Sequence, residues 1–355
     1  VSLDIDLTVC PWIALEPQVE EVKDIQITNC YVVPPGGRVH IPTDGVYKAW
    51  AQMDEFERTP IPEGEVTAEV LWQDGIGVMT ERSVKVMNAE KRDKAYIVVE
   101  TGNKAGNAVV AMKVNGEIYW SWHIWCTDYN PNLKEGQQEL NGFVWMDRNL
   151  GATYNKYNEE GGLSPTKGWE KTESDEDLYN LAGEIITFSK VPVEVFNNIP
   201  NSVHNSMSFY TSEESWYTNA KGTYRRNDLS LWNSKVGKKT IFDPCPDGWR
   251  VPVGKDGEYE SPWEQAKKNV TPLVRYKGFS LKGIYYPAAG YRELLTGNMP
   301  NNSFLDNALY WAGNIPSLYR QPSIMRYTLI DSTGYSFSIS VAWDAYGGSV
   351  RCVKE

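Results

Sequence analysis

Short runs of alternating apolar and polar residues fill the chain from about Asp24 to Asp128 and restrict this part to a β fold. The runs are DIQITNCYVV, EVTAEVLW, KAYIVVE, NAVVAMKV and EIYWSWHIWC, with Gly, Pro and Asn between them. Alternation with a period of two places one face of a strand in a core and the other face toward solvent. No helical period interrupts the runs, so the pattern predicts strands only.

The clearest local prediction is a β-hairpin centred on Asn115 and Gly116, which lie between two alternating runs. Asn-Gly is the preferred pair for a type I′ turn, because both central residues need a positive φ. In the second strand one face carries five bulky residues, which are Ile118, Trp120, Trp122, Ile124 and Cys126. We interpret this face as the core of a sandwich rather than as a ligand platform, and the spacing of strands and turns fits an immunoglobulin-like sandwich.

Composition limits the class of protein. A chain of 355 residues with 41% apolar residues can form two or three domains with their own cores. No run of about 20 apolar residues occurs, so no transmembrane segment is expected. No signal peptide begins the chain, which suggests that Val1 is a trimmed or processed start. A net charge of -11 argues against nucleic acid or an anionic membrane surface as a partner.

Cysteine and histidine are too sparse for a familiar metal site. Five cysteines fit a secreted protein with one or two disulfide bridges. The histidines His40, His123 and His204 lie far apart, and none belongs to a metal-binding motif. The acidic residues form no telling catalytic pair. The sequence therefore predicts no metal, no cofactor and no enzymatic activity.

An alternating run also opens the chain, from Ser2 to Val9. Leu3, Ile5, Leu7 and Val9 would share one face of a strand. Residues 1–17 are expected to hold a strand that either remains from an upstream domain or is shared with one, or that joins the next sheet. The residues leave these alternatives open.

Two motifs organise the second half of the chain. One is TIFDPCPDGWRVPV, from Thr240 to Val253, and the other is GGSVRCVKE at the last residues. The pair CP-x-GWR-x-P and G-x-SVRCV resembles the C-type-lectin-like modules of many Bacteroidetes surface proteins, the major paralogous domains. FVWMDRNLGAT resembles the opening strand of that family. The resemblance implies a lectin-like α+β module over residues 132–355, with a disulfide between Cys245 and Cys352.

The sequence of the first half is similar to that of the β-sandwich that precedes this module in fimbrillin-family and related surface proteins of Bacteroides. The similar phrases are NCYVV, AEVLW, GNAVVAMK and YWSWHIW. The expected fold is therefore mainly β with minor α, an immunoglobulin-like sandwich at 18–131 followed by the lectin-like module. The family implies an extracellular, cell-surface location and strand exchange with other fimbrial subunits, as a tip or accessory adhesin.

The segment around residues 155–240 departs from the family as a long insertion. Ser174 would cap a helix whose apolar stripe is Leu178, Leu181, Ile185 and Phe188. The residues from there to Leu231 are expected to form loop. Upstream, Asn130, Pro131 and the polar run LKEGQQE predict a linker.

The run after the central motif predicts a short helix and then several strands. Ser261 and Glu264 form a capping box with Pro262 at the first helical position. Strand-like runs follow in IYYPAAGYRE, NALYWAG, MRYTLIDS, YSFSISVAW and SVRCV. Trp311 lies in one of them and is expected to be structural rather than ligand-binding.

The candidate ligand site consists of polar and aromatic residues between these predicted strands: Asp306, Asn307, Tyr319, Arg320, Trp343, Asp344 and Tyr346. Flat rings can stack on sugars, and amide or acid groups can bond hydroxyls. Calcium is not expected. The runs Gln321-Pro322-Ser323 and Trp343-Asp344-Ala345 each lack one ligand oxygen of the sugar-binding lectin pattern. The predicted ligand is a glycan or protein on a surface.

Two functions remain open from the sequence. The first is an adhesive subunit of a fimbria, and the second is a surface glycan-capture lipoprotein beside a nutrient transporter. A fimbrial subunit that lends a strand to its neighbour needs a free terminal strand. If Cys245 holds Cys352, the C-terminal strand stays in its own module, which favours a place at the filament tip.

Overall fold

The computed structural model describes residues 25–140, 142–153, 178–193, 199–213, 231–232, 238–252, 270–273, 278–300, 307–312, 323–329, 335–341 and 345–355. The predicted strand at Ser2 to Val9 and the predicted helix after Ser261 lie outside these residues. Below, the N-terminal region means residues 25–129, and the C-terminal region means the described residues from 130 onward. The described fold is mainly β with two α-helices.

The N-terminal region contains seven strands, one helix and a 3₁₀ turn at Asp54–Phe56. In chain order the elements are β1 (Cys30–Val33), β2 (Arg38–Pro42), α1 (Asp44–Gln52), β3 (Val66–Gln73), β4 (Met79–Met87), β5 (Tyr96–Thr101), β6 (Gly106–Val114) and β7 (Glu117–Cys126). The hairpin at Asn115 and Gly116 is confirmed. Val114 pairs with Glu117, and the two turn residues have φ of 53° and 85°.

Two sheets enclose the main apolar core of this region. One sheet has the order β2-β5-β4, and the other contains β1-β7-β6-β3, in which β1 runs parallel to β7. Ile97 and Val99 from the first sheet share a buried cluster with Trp120, Trp122 and Met112 from the second. Trp120, Trp122 and Ile124 of the predicted core face are thus buried, whereas Ile118 is half-buried. Ser121, His123 and Trp125 point to the opposite side.

The helix α1 contradicts the prediction that the N-terminal region holds strands only. Val46, Ala49 and Trp50 recur at helical spacing and are buried. The Trp50 indole donates to the carbonyl of Tyr119 at 3.0 Å, which ties the helix to β7. A helix of nine residues was too short to stand out between long alternating runs.

The C-terminal region is built from shorter elements. They are β8 (Gln137–Leu140), β9 (Phe143–Met146), β10 (Leu178–Tyr179), β11 (Ile185–Ile186), β12 (Ser189–Pro192), α2 (Ile199–His204), β13 (Ser208–Thr211), β14 (Trp249–Arg250), β15 (Val270–Leu273), β16 (Gly278–Leu281), β17 (Ile284–Pro287), β18 (Asn307–Trp311), β19 (Ser323–Leu329), β20 (Tyr335–Val341) and β21 (Val353–Lys354). The strands predicted around IYYP, NALYW, MRYTL and YSFSISV are therefore present.

The predicted helix over Leu178 to Phe188 is wrong, because these residues form the hairpin of β10 and β11. Asn180 begins the turn and its side-chain oxygen accepts the backbone N–H of Glu184 at 2.9 Å. Gly183 has φ of 82°, which a helix does not allow. Tyr179 pairs with Gln73, so β10 and β11 extend the large N-terminal sheet to the order β1-β7-β6-β3-β10-β11.

Two further expectations about irregular chain are wrong. The predicted linker contains β8, which pairs with β9, and the predicted loop before Leu231 contains β12, α2 and β13. β12 and β13 run parallel and pair from Ser189 with Ser208 to Pro192 with Thr211. In these segments the backbone N–H and C=O groups form hydrogen bonds between strands, whereas the polar sequence had predicted that they bond to water.

A central sheet holds the C-terminal region together, with the order β14-β21-β9-β8. Val353 of β21 pairs with Arg250 on one side and with Trp145 on the other. The predicted disulfide joins Cys245 to Cys352, with their Cα atoms 6.1 Å apart. The segment at β21 is therefore paired on both edges and covalently fixed.

Buried charged groups support this sheet. The Arg351 guanidinium is 1% exposed, donates from Nε to Asn149 Oδ1 at 2.7 Å and lies 3.9 Å from the centre of the Tyr286 ring. The Lys239 ammonium donates to the carbonyls of Cys245, Pro246 and Trp249 at 2.6 to 2.7 Å. The Lys239 contacts fix the turn that carries the disulfide. The Arg351 charge is stabilised by an amide oxygen and an aromatic ring.

The two regions share a buried cluster at their junction. Cys30 and Trp125 from the N-terminal sheet meet Cys245, Trp249 and other residues of the disulfide turn there. The Asn29 amide donates to the carbonyls of Ile241 and Asp243 at 2.6 and 3.0 Å. The regions are thus joined by apolar packing and by hydrogen bonds that cross the junction.

Cys30 and Cys126, whose pairing the sequence left open, do not bridge. Both are buried free thiols on the adjacent strands β1 and β7. Cys30 is opposite His123 and Cys126 is opposite Val33, so the two thiols belong to opposite faces of the sheet. Cys10 lies outside the described residues.

Within the described residues, neither α1 nor α2 is long and apolar enough to cross a membrane.

Candidate functional site

A cavity of about 500 Å³ lies where the two regions meet. Its walls come from three places: the outer face of the N-terminal sheet, the strands β12 and β13, and the loops beside β17, β18 and β21. Aromatic residues line it, among them Trp72, Phe188, Phe209, Trp232, Tyr291 and Trp311. The volume lies within the range of about 300 to 1,000 Å³ typical of small-molecule sites.

The first wall is the face of the N-terminal sheet that points away from its own core. On β7, Ser121 and His123 line the cavity, and they alternate with the core residues Trp120 and Ile124. Asp74 and Val109 join them from the end of β3 and from β6. Long, paired strands make this wall rigid, because each backbone group is held in a ladder.

The second wall consists of β12, β13 and Phe188, which directly precedes β12. Phe188 packs edge-on against Trp72 with ring centres 6.2 Å apart. Lys190 of β12 is the one exposed residue among the described residues that line the cavity. The cavity therefore opens on the side where Lys190 lies.

The third wall is formed by two short segments that pair with each other. Arg292 and Gly347 exchange backbone hydrogen bonds of 2.8 and 3.1 Å, and Ser349 bonds to Leu309 and Trp311. A Cβ on Gly348 would lie 2.2 Å from Leu309 Cδ2, so any larger residue would displace the Leu309 side chain. The Gly-Gly pair thus lets this segment approach β18 closely enough to bring Trp311 to the cavity.

Aromatic rings in the third wall contact each other edge to face. Trp232 and Trp311 have ring centres 6.0 Å apart at 82°, and Tyr291 and Tyr346 have centres 5.6 Å apart at 76°. Edge-to-face contacts are favourable and leave ring faces available for other partners. Trp311 is 4% exposed, so its predicted structural role is compatible with its place in the wall.

A chain of buried polar side chains lies behind the first wall. Asp74 accepts two hydrogen bonds from Asn107, at 2.8 Å from the backbone N–H and at 2.9 Å from Nδ2. Nδ2 of Asn107 also donates to the carbonyl of Gly151 at 2.9 Å, and its Oδ1 lies 2.8 Å from Nε2 of His123. Burial lowers the pKa of His123 to about 4, so the ring is neutral at neutral pH.

The disulfide turn contributes Pro244 to the cavity and carries a second buried carboxylate. Asp243 accepts the backbone N–H groups of Cys245 and Val251, both at 2.8 Å. Burial raises the pKa of Asp243 to about 7, and Lys239 and the two N–H donors only partly offset this effect. Burial likewise lowers the pKa of Lys239.

Of the seven residues predicted as the ligand site, the described chain contains Asn307 and Tyr346. The Asn307 carbonyl accepts the N–H of Gly290, a cavity residue, and Tyr346 packs on Tyr291. Both lie directly behind the third wall. The other five lie outside the described residues: Asp306, Tyr319, Arg320, Trp343 and Asp344. Ligand binding by all seven stays a prediction.

Sequence reasoning missed the contribution of the N-terminal region. Ser121 and His123 occupy the face of β7 opposite the predicted core face, and a strand buried on both sides gives this pattern. The heavy burial of the whole run YWSWHIWC was visible in its apolar composition. The third wall opposite it was not visible, because Tyr291 and Arg292 lie more than 160 residues after His123 in sequence.

No group of three or more His, Cys, Asp or Glu side chains suited to a metal ion occurs within the described residues. Most of the two runs considered for calcium, from Gln321 and from Trp343, lies outside them. The prediction about calcium therefore stays a prediction.

The fold and the cavity define a mainly β protein with an aromatic-lined site between two regions. Comparison of the chain with protein-family models, with curated proteins and with solved structures gives no match. The interpretation of the site therefore depends on its own geometry.

Proposed function

We propose that this chain is a non-enzymatic cell-surface adhesion protein that binds a glycan in the cavity between its two regions. The observation that carries the proposal is the aromatic lining of the cavity by Trp72, Phe188, Phe209, Trp232, Tyr291 and Trp311. Sugars present C–H groups on the faces of their rings and hydroxyls at the edges. Aromatic faces bind the first, and a few placed polar groups bind the second.

The polar groups needed for orientation are present in the same walls. Asp74, Ser121 and His123 come from the N-terminal sheet, and Arg292 and Lys190 come from the C-terminal region. Their charges are of both signs, so the walls do not favour a strongly charged ligand. This composition fits a hydroxyl-rich ligand better than a nucleotide or an acidic peptide.

Within this proposal the N-terminal region is an immunoglobulin-like sandwich and the C-terminal region is a lectin-like module. The parallel pairing of β1 with β7 and the two sheets around one core support the first assignment. The disulfide between Cys245 and Cys352, which the resemblance to major paralogous domains implied, supports the second. The protein would act outside the cell, at the outer surface.

We further propose a tip or accessory position in a fimbria. A donor strand must leave its own sheet to enter the next subunit. β21 is paired on both sides by β14 and β9 and is anchored by the disulfide, so this segment does not serve as the donor. Immunogold labelling of intact fimbriae tests the position, and label spread evenly along the shafts would contradict it.

The alternative is a surface glycan-capture lipoprotein that serves a nutrient transporter. The same cavity supports it, because capture also requires a saccharide site. The two functions differ in assembly: an adhesin joins filaments, and a capture protein copurifies with a transporter. The ligand proposal is common to both.

A glycan array on the purified chain tests the ligand proposal. We expect the unmodified chain to bind a defined set of saccharides. The affinity should fall about tenfold or more in Tyr291→Ala, which corresponds to about 1.4 kcal/mol or more. Tyr210→Ala is the matched control, since Tyr210 is a half-buried tyrosine of the neighbouring strand β13 that does not line the cavity. Equal binding by the two variants, or no binding of any saccharide by the unmodified chain, would contradict the proposal.

A further inference from the structure

The wall of the cavity contains a hydrogen-bond acceptor that the described residues leave without a partner. His123 is 8% exposed and lines the cavity. Its Nε2 is bonded to Asn107, whereas its Nδ1 is buried and makes no hydrogen bond to the described residues. An unpaired buried polar atom costs about 1 to 3 kcal/mol. A partner that forms a hydrogen bond with it, such as water or a ligand, removes this cost.

The hydrogen-bond chain behind the wall fixes which nitrogen of His123 carries the proton. Nδ2 of Asn107 donates to Asp74 Oδ2 and to the Gly151 carbonyl, both of which only accept. The other atom of that amide, Oδ1, therefore faces Nε2 of His123 as an acceptor at 2.8 Å. Nε2 must carry the hydrogen, and in the neutral ring Nδ1 is left with a lone pair.

We infer that the ligand in the cavity is a neutral saccharide, one of whose hydroxyls donates a hydrogen bond to Nδ1 of His123. The inference rests on the proposed glycan-binding function. It adds the chemical class of the ligand and identifies His123 as the residue of the N-terminal region that recognises it. Direct contact requires a small displacement of the ring toward the cavity. The new hydrogen bond favours that displacement, because it removes the cost of the unpaired atom.

The same geometry discriminates against anionic sugars at this point. A carboxylate or sulfate oxygen offers only lone pairs, and two acceptors that face each other repel. Asp74, two hydrogen bonds behind His123, adds negative charge on the same side. Lys190 and Arg292 lie in the opposite walls, so they do not reverse this preference at the first wall.

The test uses the full chain and the variant His123→Gln. The Gln amide reaches the position of Nε2 and still donates to Asn107, but it places no acceptor at the position of Nδ1. The probes are neutral hexose and N-acetylhexosamine oligosaccharides and their uronic-acid counterparts, measured by calorimetry. We expect His123→Gln to bind the neutral probes about tenfold more weakly, the uronic-acid probes to bind the unmodified chain at least tenfold more weakly, and His40→Gln to behave as unmodified.

Thermal unfolding first confirms that His123→Gln is folded. Equal affinity of the unmodified chain and His123→Gln for a bound saccharide would overturn this inference and leave the glycan-binding proposal intact. No binding of any saccharide by the unmodified chain would overturn both.

Nitrogen-15 NMR of the histidine rings tests the inference without a ligand. We expect His123 to carry its proton on Nε2 near neutral pH, and the Nδ1 resonance to move when a neutral saccharide binds. A proton on Nδ1 in the unbound chain, or an unmoved Nδ1 resonance in the saturated complex, would overturn the inference.

Discussion

Strands of the N-terminal region extend up to 10 residues, whereas those of the C-terminal region have 2 to 7. Long ladders and one large apolar core hold the first region. The second is held by a disulfide, a buried guanidinium and an ammonium that caps three carbonyls. A rigid sheet face and a set of cross-linked loops thus together form a site that neither forms alone.

The buried polar residues follow the same division. In the N-terminal region Asp74 and His123 line the cavity, and Asn107 connects them by hydrogen bonds. The core side of the same sheet is apolar. The sheet therefore uses one face for stability and the other for the site.

The largest expected effect breaks the C-terminal region alone. Replacing Cys245 and Cys352 by Ala removes a cross-link between residues 107 apart, which the chain-entropy estimate values at about 4 to 5 kcal/mol. Hydrogen exchange in rising urea should show lost protection in β9 and β21 and retained protection in β6 and β7. Cys126→Ala is the control with a buried thiol and no bridge. Simultaneous loss in both regions would show that they unfold as one unit.

The second prediction breaks the N-terminal region alone. Ile97 is fully buried in β5 between β2 and β4, so Ile97→Ala should cost about 2 to 5 kcal/mol of unfolding free energy. Ile97→Val, which removes one methylene, should cost about 0.5 to 1.5 kcal/mol. Urea unfolding followed by exchange in β5 measures both. Equal effects of the two substitutions would argue against a tightly packed core at this position.

The smallest expected effect is a pH dependence of stability that has opposite signs in the two regions. Asp243 has a folded pKa of about 7 against a usual 3.8, so its contribution is present at low pH and is lost as the pH rises through about 7. His123 has a folded pKa of about 4 against a usual 6.5, so its contribution is present above pH 6.5 and is lost as the pH falls toward 4. Between these limits the two regions should change in stability in opposite directions.

Each contribution should change by on the order of 1 kcal/mol per pH unit within its window. Asp243→Asn should flatten the pH dependence of exchange protection in β14, and His123→Gln should flatten it in β7. Parallel slopes in the two regions, unchanged by these variants, would contradict the assignment of either group.

Local patterns predicted the parts of the fold that local chemistry decides. The Asn115-Gly116 turn has the φ values its sequence requires, and the core face of β7 follows from alternation. The stripe at Leu178, Leu181 and Ile185 misled, because helical spacing also arises when two short strands flank a turn. Gly183 was the signal of that turn.

The site was only partly predictable for a different reason. Tyr346 and Asn307 were selected from the C-terminal region and lie behind the cavity wall. His123 and Asp74 could not be connected with them, because their proximity depends on how β7 meets segments more than 160 residues later in the chain. Single-sequence patterns carry little information about such long-range contacts.

The placement of β21 between β14 and β9 also has a consequence for biosynthesis. The central sheet of the C-terminal region can close only after Val353 has been synthesised, because Val353 pairs with Trp145. The hairpin of β6 and β7 can form as soon as its own residues have been synthesised. Pairing across so long a sequence separation is slow relative to local pairing. The N-terminal region can therefore fold during synthesis, while the disulfide and the central sheet of the C-terminal region cannot form until β21 has been made.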